Sequence, residues 1–508
     1  MSAVSSRAIV GAAVCLAVMS ACAVSTPPSM RSTHVPIDSR PPPRPTTLEA
    51  RPLGEPVTLP PIPSIVESSR GSSDVVAEHR LPNGVRLVTV VRKNAPLTQL
   101  ILGLDRGTID APPGVAEVAA HAILLGDPYG IDGMYAHEHL ATFGATLSST
   151  AFSDALLVKL ASLPSHLSSA VERMLPLMAA PDLGEGSVKL ARLDIAGSRA
   201  RRADVRWKAG QRLFKEMFPP PQARGTPPGL FGATAATLGE VNPAHVRAFG
   251  EAFVTAEHAY VVVAGDFEPE EVKPIVERAL SRLPTRSTAA PPPIALPATR
   301  SSCEHRVVLV PQAGLSQVMI AIGTVVPAPS QESAAYVEVM SEAAAGGLDA
   351  RLPRRIRMEL GATYHVGAHL VPSRFNGVLA MVTAVDPKRA LDALRSANEE
   401  LDRLATEPLD ERELAVAKLR ALHGEEGSSL ESTAFGIARD VGSGLSIEAI
   451  EHKRKRIRSA SADDVRTVAA RHLAAAQRCI VVFGDVKTLV EPIRELGLGL
   501  VEVRANEL

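Results

Sequence analysis

Aromatic side chains are scarce in this 508-residue chain, with Phe, Tyr and Trp together making up 3%. Proteins that grip single-stranded nucleic acid stack bases on aromatic rings, so the composition argues against that class. Charge of one sign is lacking too. Lys plus Arg number 54 and Asp plus Glu 55, a net charge of −1, so no global field draws a polyanion. There are four cysteines, at positions 15, 22, 303 and 479, and no CxxC pair offers a zinc or redox centre. The apolar run near the N-terminus, AIVGAAVCLAV from Ala8 to Val18, is too short to span a bilayer with ease. What remains is a hydrophobic fraction of 45%, which fits a soluble globular chain long enough for two or more domains.

The first residues read as a targeting segment. Arg7 precedes the apolar run, which ends in MSAC at Cys22. Small residues ahead of a Cys resemble a bacterial lipobox. The resemblance implies a signal peptide over 1–21 and a lipid on the Cys22 thiol. Plain secretion, with cleavage at a nearby Ala, is the alternative. Ala23 stands where a retention-type Asp is absent, which by resemblance favours the outer membrane and a lipid-anchored protein on the periplasmic side. Export leaves two readings open for Cys303 and Cys479: a disulfide, or two buried thiols.

Residues 22–77 carry the Cys and a stretch rich in Pro, Ser, Thr and Arg (SRPPPRP, TLPPIP), read as a disordered tether. A strand-rich and then helical region follows over 78–285, a Pro-rich linker over 286–302, and a second region over 303–508. The two regions echo each other. AHVRAFGEAFVTAEHAYVVVAGDF matches DDVRTVAARHLAAAQRCIVVFGDV without a gap, and Arg247 and Arg466 are 219 positions apart. A period that long excludes a solenoid and points to two homologous α+β domains.

LPNGVRL, RGTIDAPPGVAEVAAHAILLG and TFGATLSST occur in that order in the first region. The series resembles the pitrilysin (insulinase) metallopeptidases of the inverted-zincin type, over about residues 78–490. The resemblance implies an α+β fold of two related halves, like the mitochondrial processing peptidase, closing as a clamshell. It also implies a helix bearing H-x-x-E-H. The two imidazoles, at i and i+4, share one helix face and hold Zn²⁺, and the Glu activates the bound water. Here the five positions are Glu117-Val118-Ala119-Ala120-His121. Glu117 replaces a ligand, Ala120 replaces the general base, and only His121 stands. The downstream carboxylate ligand falls at Asp194, 73 residues after His121. Two carboxylates and one imidazole leave weak zinc binding open, but Ala120 cannot take a proton. A second His-rich stretch, YAHEHL, places His137 and His139 two apart, so on a helix they point in different directions; it reads as a solvated helix.

In the second region, GGLDARLPRRIRMELGATYHV resembles the segment with which the other half of the family's fold reaches the zinc site. There an Arg and a Tyr seven residues apart contact substrate; Arg357 and Tyr364 match both. Such donors stabilise charge developing on a carbonyl oxygen. The competing reading makes Arg357 one of several solvated arginines (Arg351, Arg354, Arg355) and Tyr364 a core ring. The basic run HKRKRIR, 452–458, reads as a solvated helix face, with a lipid-headgroup contact as the alternative.

The resemblance therefore implies a chain inactive alone and without a metal of its own. It would be the non-catalytic subunit of a heterodimer, in which a homologous partner carries the zinc motif and a peptide is the substrate. A peptide-binding or structural scaffold lipoprotein is the alternative. No nucleic-acid partner is expected.

Overall fold

Two six-stranded sheets carry the chain, and their strand orders repeat. The computed structural model describes residues 74–505 apart from 126–135, 219–232, 290–300 and isolated positions at 143, 180, 182, 203–204, 234, 288, 313 and 427–428. The segment read as a signal peptide, Cys22, and most of the tether and of the Pro-rich linker lie outside the described residues. Among the described residues no helix is long and apolar enough to cross a membrane.

The first half begins with β1 (Val75–Arg80), β2 (Arg86–Val91) and β3 (Thr98–Leu104), followed by α1 (Val115–Leu125) and α2 (Ala136–Ala141). It continues with β4 (Thr146–Ala151), β5 (Leu156–Ser162), α3 (Leu167–Ala179), α4 (Glu185–Arg202) and α5 (Val205–Met217). It ends with α6 (Ala235–Glu240), α7 (Pro243–Phe253), β6 (Ala259–Gly265) and α8 (Pro269–Ala279). The second half runs β7 (Arg306–Pro311), β8 (Val318–Val326), α9 (Ala334–Ala345), a π-helical turn over Pro353–Glu359, β9 (Val366–Val371) and β10 (Gly377–Val385). Then come α10 (Ala390–Thr406), α11 (Glu411–Glu426), α12 (Leu430–Gly442), α13 (Ile447–Ser459), α14 (Ala462–His472), β11 (Cys479–Gly484), α15 (Val486–Glu495) and β12 (Leu500–Val503).

The sheet orders are β1-β2-β6-β3-β5-β4 and β12-β7-β11-β8-β10-β9. In each, a late strand enters the middle, parallel to one neighbour and antiparallel to the other: β6 with β2 and β3, β11 with β7 and β8. The 219-residue spacing carries α7 onto α14. Five strands of each sheet are thus duplicated. The sixth is not: β1 joins antiparallel from the N-terminal side, β12 parallel from the C-terminal side. This is the expected α+β fold of two homologous halves, and both fall in one compact unit.

The central strands explain how the halves hold together. β6 (AYVVVAG) and β11 (CIVVFG) are buried at every position, as strands are when both sheet faces are covered. Each half covers one face of its own sheet. The other face is covered by a helix from the opposite half. Leu213, Phe214 and Met217 of α5 pack on Val308, Ala321 and Val481 of the second sheet. Ala434, Ile437 and Val441 of α12 pack on Val88, Val90 and Val262 of the first. The Tyr260 hydroxyl donates to the Ala438 carbonyl at 2.7 Å across this contact. Gly442 makes the approach possible, since a Cβ there would stand 2.6 Å from both Ala155 Cβ and Tyr260 Oη.

Cys303 and Cys479 form a disulfide, which settles the question the sequence left open. The basic run on α13 departs from the solvated face expected of it. Lys453 and Arg454 are buried, Lys453 between Asp440 at 2.9 Å and Glu338 at 3.2 Å, and Arg454 against Glu451 at 2.7 Å. Carboxylates on neighbouring helices take up the Lys453 charge, and one on α13 itself takes up that of Arg454. YAHEHL falls largely on α2, the helix expected.

Candidate functional site

The residues of the degenerate zinc motif meet in space. α1 carries Glu117, Ala120 and His121, and its Val and Ala run packs into the first core. α4 lies alongside and brings Asp194 to His121, with Nε2 and Oδ2 3.3 Å apart. Ala120 is buried and puts a methyl group where the base would stand. Glu117 does something the sequence did not suggest. One of its oxygens pairs with Arg199 on α4 at 2.8 Å, and the backbone N–H of Ala233 donates to the other at 3.2 Å. Arg199 also donates to the Ala233 carbonyl.

These residues do not fit a zinc ion. A tetrahedral site needs ligands free to converge at about 2.0–2.2 Å. Here the Glu117 carboxylate is already occupied by a guanidinium that supplies positive charge of its own. Among the described residues no group of three or more His, Cys, Asp or Glu is placed to hold a metal.

The motif opens onto a cleft of about 910 Å³ between the halves. Its walls include Glu117, His121, Asp194 and Arg199 on one side, and Ala368 to Pro372 with Arg439 on the other. β4 and β9 are the last strands of their sheets, so each presents an unpaired edge, and both border the cleft. A buried cluster beside it ties the halves. Arg374, in the turn between β9 and β10, pairs with Asp110 of the first half. The Arg374 backbone N–H donates to Asp154 Oδ2 at 2.6 Å. Burial pushes the Asp154 carboxyl up to about 6, against the pull of Arg374. The sequence carried no local sign of Arg199 or of this cluster, because each acts on a partner far away in the chain.

Arg357 and Tyr364 sit elsewhere. Neither borders the cleft. The Arg357 guanidinium lies over the Tyr364 ring, 4.5 Å from its centroid. Tyr364 is 81% exposed, so it is not a core ring. Nor are the neighbouring arginines simply solvated. Arg351 is buried against Glu413 at 2.9 Å, Arg354 reaches the same Glu at 3.5 Å, and Arg355 pairs with Glu359 at 2.9 Å. Among the described residues, Arg357 alone of the four has no carboxylate partner. The turn that presents it is π-helical: Leu360 N–H donates to the Arg355 carbonyl at 3.1 Å, five residues back. Pro353 opens this turn, where its missing N–H costs nothing.

Two halves, each a six-stranded sheet with helices, thus flank a cleft onto which the motif-bearing helix opens. The comparisons agree. The family "Peptidase M16 inactive domain" matches residues 240–420. An "uncharacterized zinc protease" of Mycobacterium tuberculosis is 28% identical over 171 residues, 33% of this chain and 39% of that protein. The chain thus matches well under half the length of that curated relative. Among solved structures, a peptidase M16 inactive domain from Pseudomonas fluorescens has a TM-score of 0.68 at 18% identity, covering 81% of this chain and 98% of that one. A chain of Complex III2 from Candida albicans has a TM-score of 0.66 at 14% identity, covering 84% and 100%. Residues 240–420 are thus similar to the M16 inactive domain, and the fold is the one seen in M16-like peptidase structures.

Proposed function

We propose that this chain is the non-catalytic subunit of a zinc metallopeptidase complex, lending Arg357 and Tyr364 to a zinc site built by a homologous partner. The observation that carries this reading is the pair itself. An exposed phenol and an unpaired guanidinium are stacked together, outside the chain's own cleft, where a second protein can reach them. Hydrogen-bond donors of this kind stabilise an oxyanion without any metal of their own. Glu117 and Ala120 support the other half of the reading: with the carboxylate committed to Arg199 and no base at position 120, the chain neither holds zinc at α1 nor cuts peptides alone. We further propose lipid attachment at Cys22 and a periplasmic position, outer membrane preferred. The disulfide suits that oxidising compartment.

Affinity purification of the untagged complex from the native cell tests the pairing. A chain with an intact H-x-x-E-H should co-elute, and peptide cleavage should need both chains. Robust zinc-dependent cleavage by this chain alone overturns the reading.

The cleft favours one second reading, a peptide-binding scaffold with no peptidase role. The open edges of β4 and β9 can accept an added strand. In that case peptide binding is indifferent to Arg357→Ala and Tyr364→Phe.

A further inference from the structure

The charged side chains on the cleft wall are answered from within the protein, with one exception. Glu117 pairs with Arg199, Asp194 lies against His121, and Asp154 faces Arg374. Arg439 of α12 borders the same cleft and has no carboxylate partner among the described residues. It stands in the last turn of its helix, where any cation is favoured by the exposed carbonyls. Its guanidinium is nevertheless drawn to the first half. It lies over the Phe152 ring, 5.3 Å from the centroid. Phe435, one turn back on α12, meets that ring edge-on at 5.6 Å. Lys159 lies over Phe435 in turn, but Glu431 answers its charge at 3.4 Å. A guanidinium held against a ring keeps N–H donors free for a planar acceptor such as a carboxylate.

Phe152 also marks the end of the edge strand β4. Its N–H donates to the Ala155 carbonyl at 2.7 Å. Bonded and non-bonded pairs alternate along an antiparallel ladder, so Thr150 and Ser148 turn their backbone groups to β5 as well. Those of Ala151, Ser149 and Leu147 therefore point to the open edge. An extended peptide can bond to them, and its part nearest Ala151 arrives at Phe152 and Arg439.

We propose that the cleft binds an extended peptide along the β4 edge, with a carboxylate of that peptide held by Arg439. The inference rests on the reading of the cleft as a peptide-binding surface and names the chemistry it selects. It needs no zinc-bearing partner. A chain terminus and an acidic side chain both supply the carboxylate, and Arg binds either one through paired hydrogen bonds.

The test is calorimetric titration of the untagged full chain with three acetylated eight-residue peptides of alternating Thr and Val. One ends in a free carboxylate, one in an amide, and one in an amide with Glu as its last residue. A carboxylate should tighten binding roughly tenfold or more over the plain amide. Preference for the first or the third peptide assigns the terminus or the side chain as its source. Arg439→Gln should erase the preference while leaving affinity for the plain amide unchanged, and Arg439→Lys should restore part of it. A role confined to the helix end predicts no such split between peptides. On binding, hydrogen exchange should slow across Leu147–Ala151. Equal affinity for acid and amide peptides, or a preference that survives Arg439→Gln, overturns the Arg439 assignment and spares the cleft. Unchanged exchange on β4 overturns the edge placement. No binding of any peptide overturns the reading of the cleft itself.

Discussion

Glu117 shows how a single residue redirects a site. At a position where the family places a ligand, a carboxylate has been joined to an internal cation, Arg199, and both side chains are largely shielded from water. Arg199→Ala strands that carboxylate and should lower stability by about 1–3 kcal/mol, the cost of an unsatisfied buried polar group. Glu117→Gln in the same chain should recover part of the loss, and chemical denaturation of the four members of the cycle measures the coupling. The meeting of His121 with Asp194 was legible in the sequence, because the motif spacing implied it. Arg199 was not, because nothing local marks which arginine of a helix turns inward. Asp154 gives the pH prediction at this scale. Its folded pKa, about 6, lies above its ordinary 3.8. The native state therefore takes up this proton as pH falls through 6, while the unfolded chain waits until near 4. The group's penalty, of order 3 kcal/mol, is present above pH 6 and fades toward pH 4. Asp154→Asn keeps an acceptor for the Arg374 N–H. The variant should therefore be more stable than the wild type at pH 7.5, with the gap closing by pH 4 in paired denaturation curves. A gap independent of pH contradicts the assignment.

Among the elements, the exchanged helices decide how the chain holds together. α5 belongs to the first half by sequence, yet its apolar side chains complete the second sheet. Leu213 is fully buried in that contact, so Leu213→Ala should cost about 2–5 kcal/mol. The signature is where the damage falls. Amides of β11, more than 260 residues away in sequence, should exchange faster with solvent, while those of β6 are unaffected. The duplication was plain in the sequence, because the strands ending in Gly-Asp and the helices before them align without a gap. The exchange was only hinted at: continuous apolar runs such as YVVVA and IVVF require cover on both faces, but they do not say which helix supplies it. The basic run of α13 misled for a related reason. Consecutive charges read as solvated until the acidic partners, Glu338 and Asp440, are brought beside them by packing.

At the scale of the whole molecule, two places compete for function. The cleft holds the remnants of a zinc motif, its carboxylate neutralised and its base absent. The Arg357–Tyr364 pair lies apart from it, exposed and uncommitted. Arg–Tyr spacing in the sequence identified the pair. The structure adds that neighbouring arginines are tied to carboxylates while Arg357 is not. On the proposed function, these outward donors complete another protein's site.

The most direct test is steady-state peptide cleavage by the reconstituted complex of this chain with a zinc-motif homologue from the same cell, comparing wild type with Tyr364→Phe. Tyr364 is solvent-exposed, so the variant should fold and assemble normally. If the phenol stabilises the oxyanion, kcat should fall about 10²–10³-fold with KM little changed. An intact complex whose kcat is unaltered by the substitution contradicts the account.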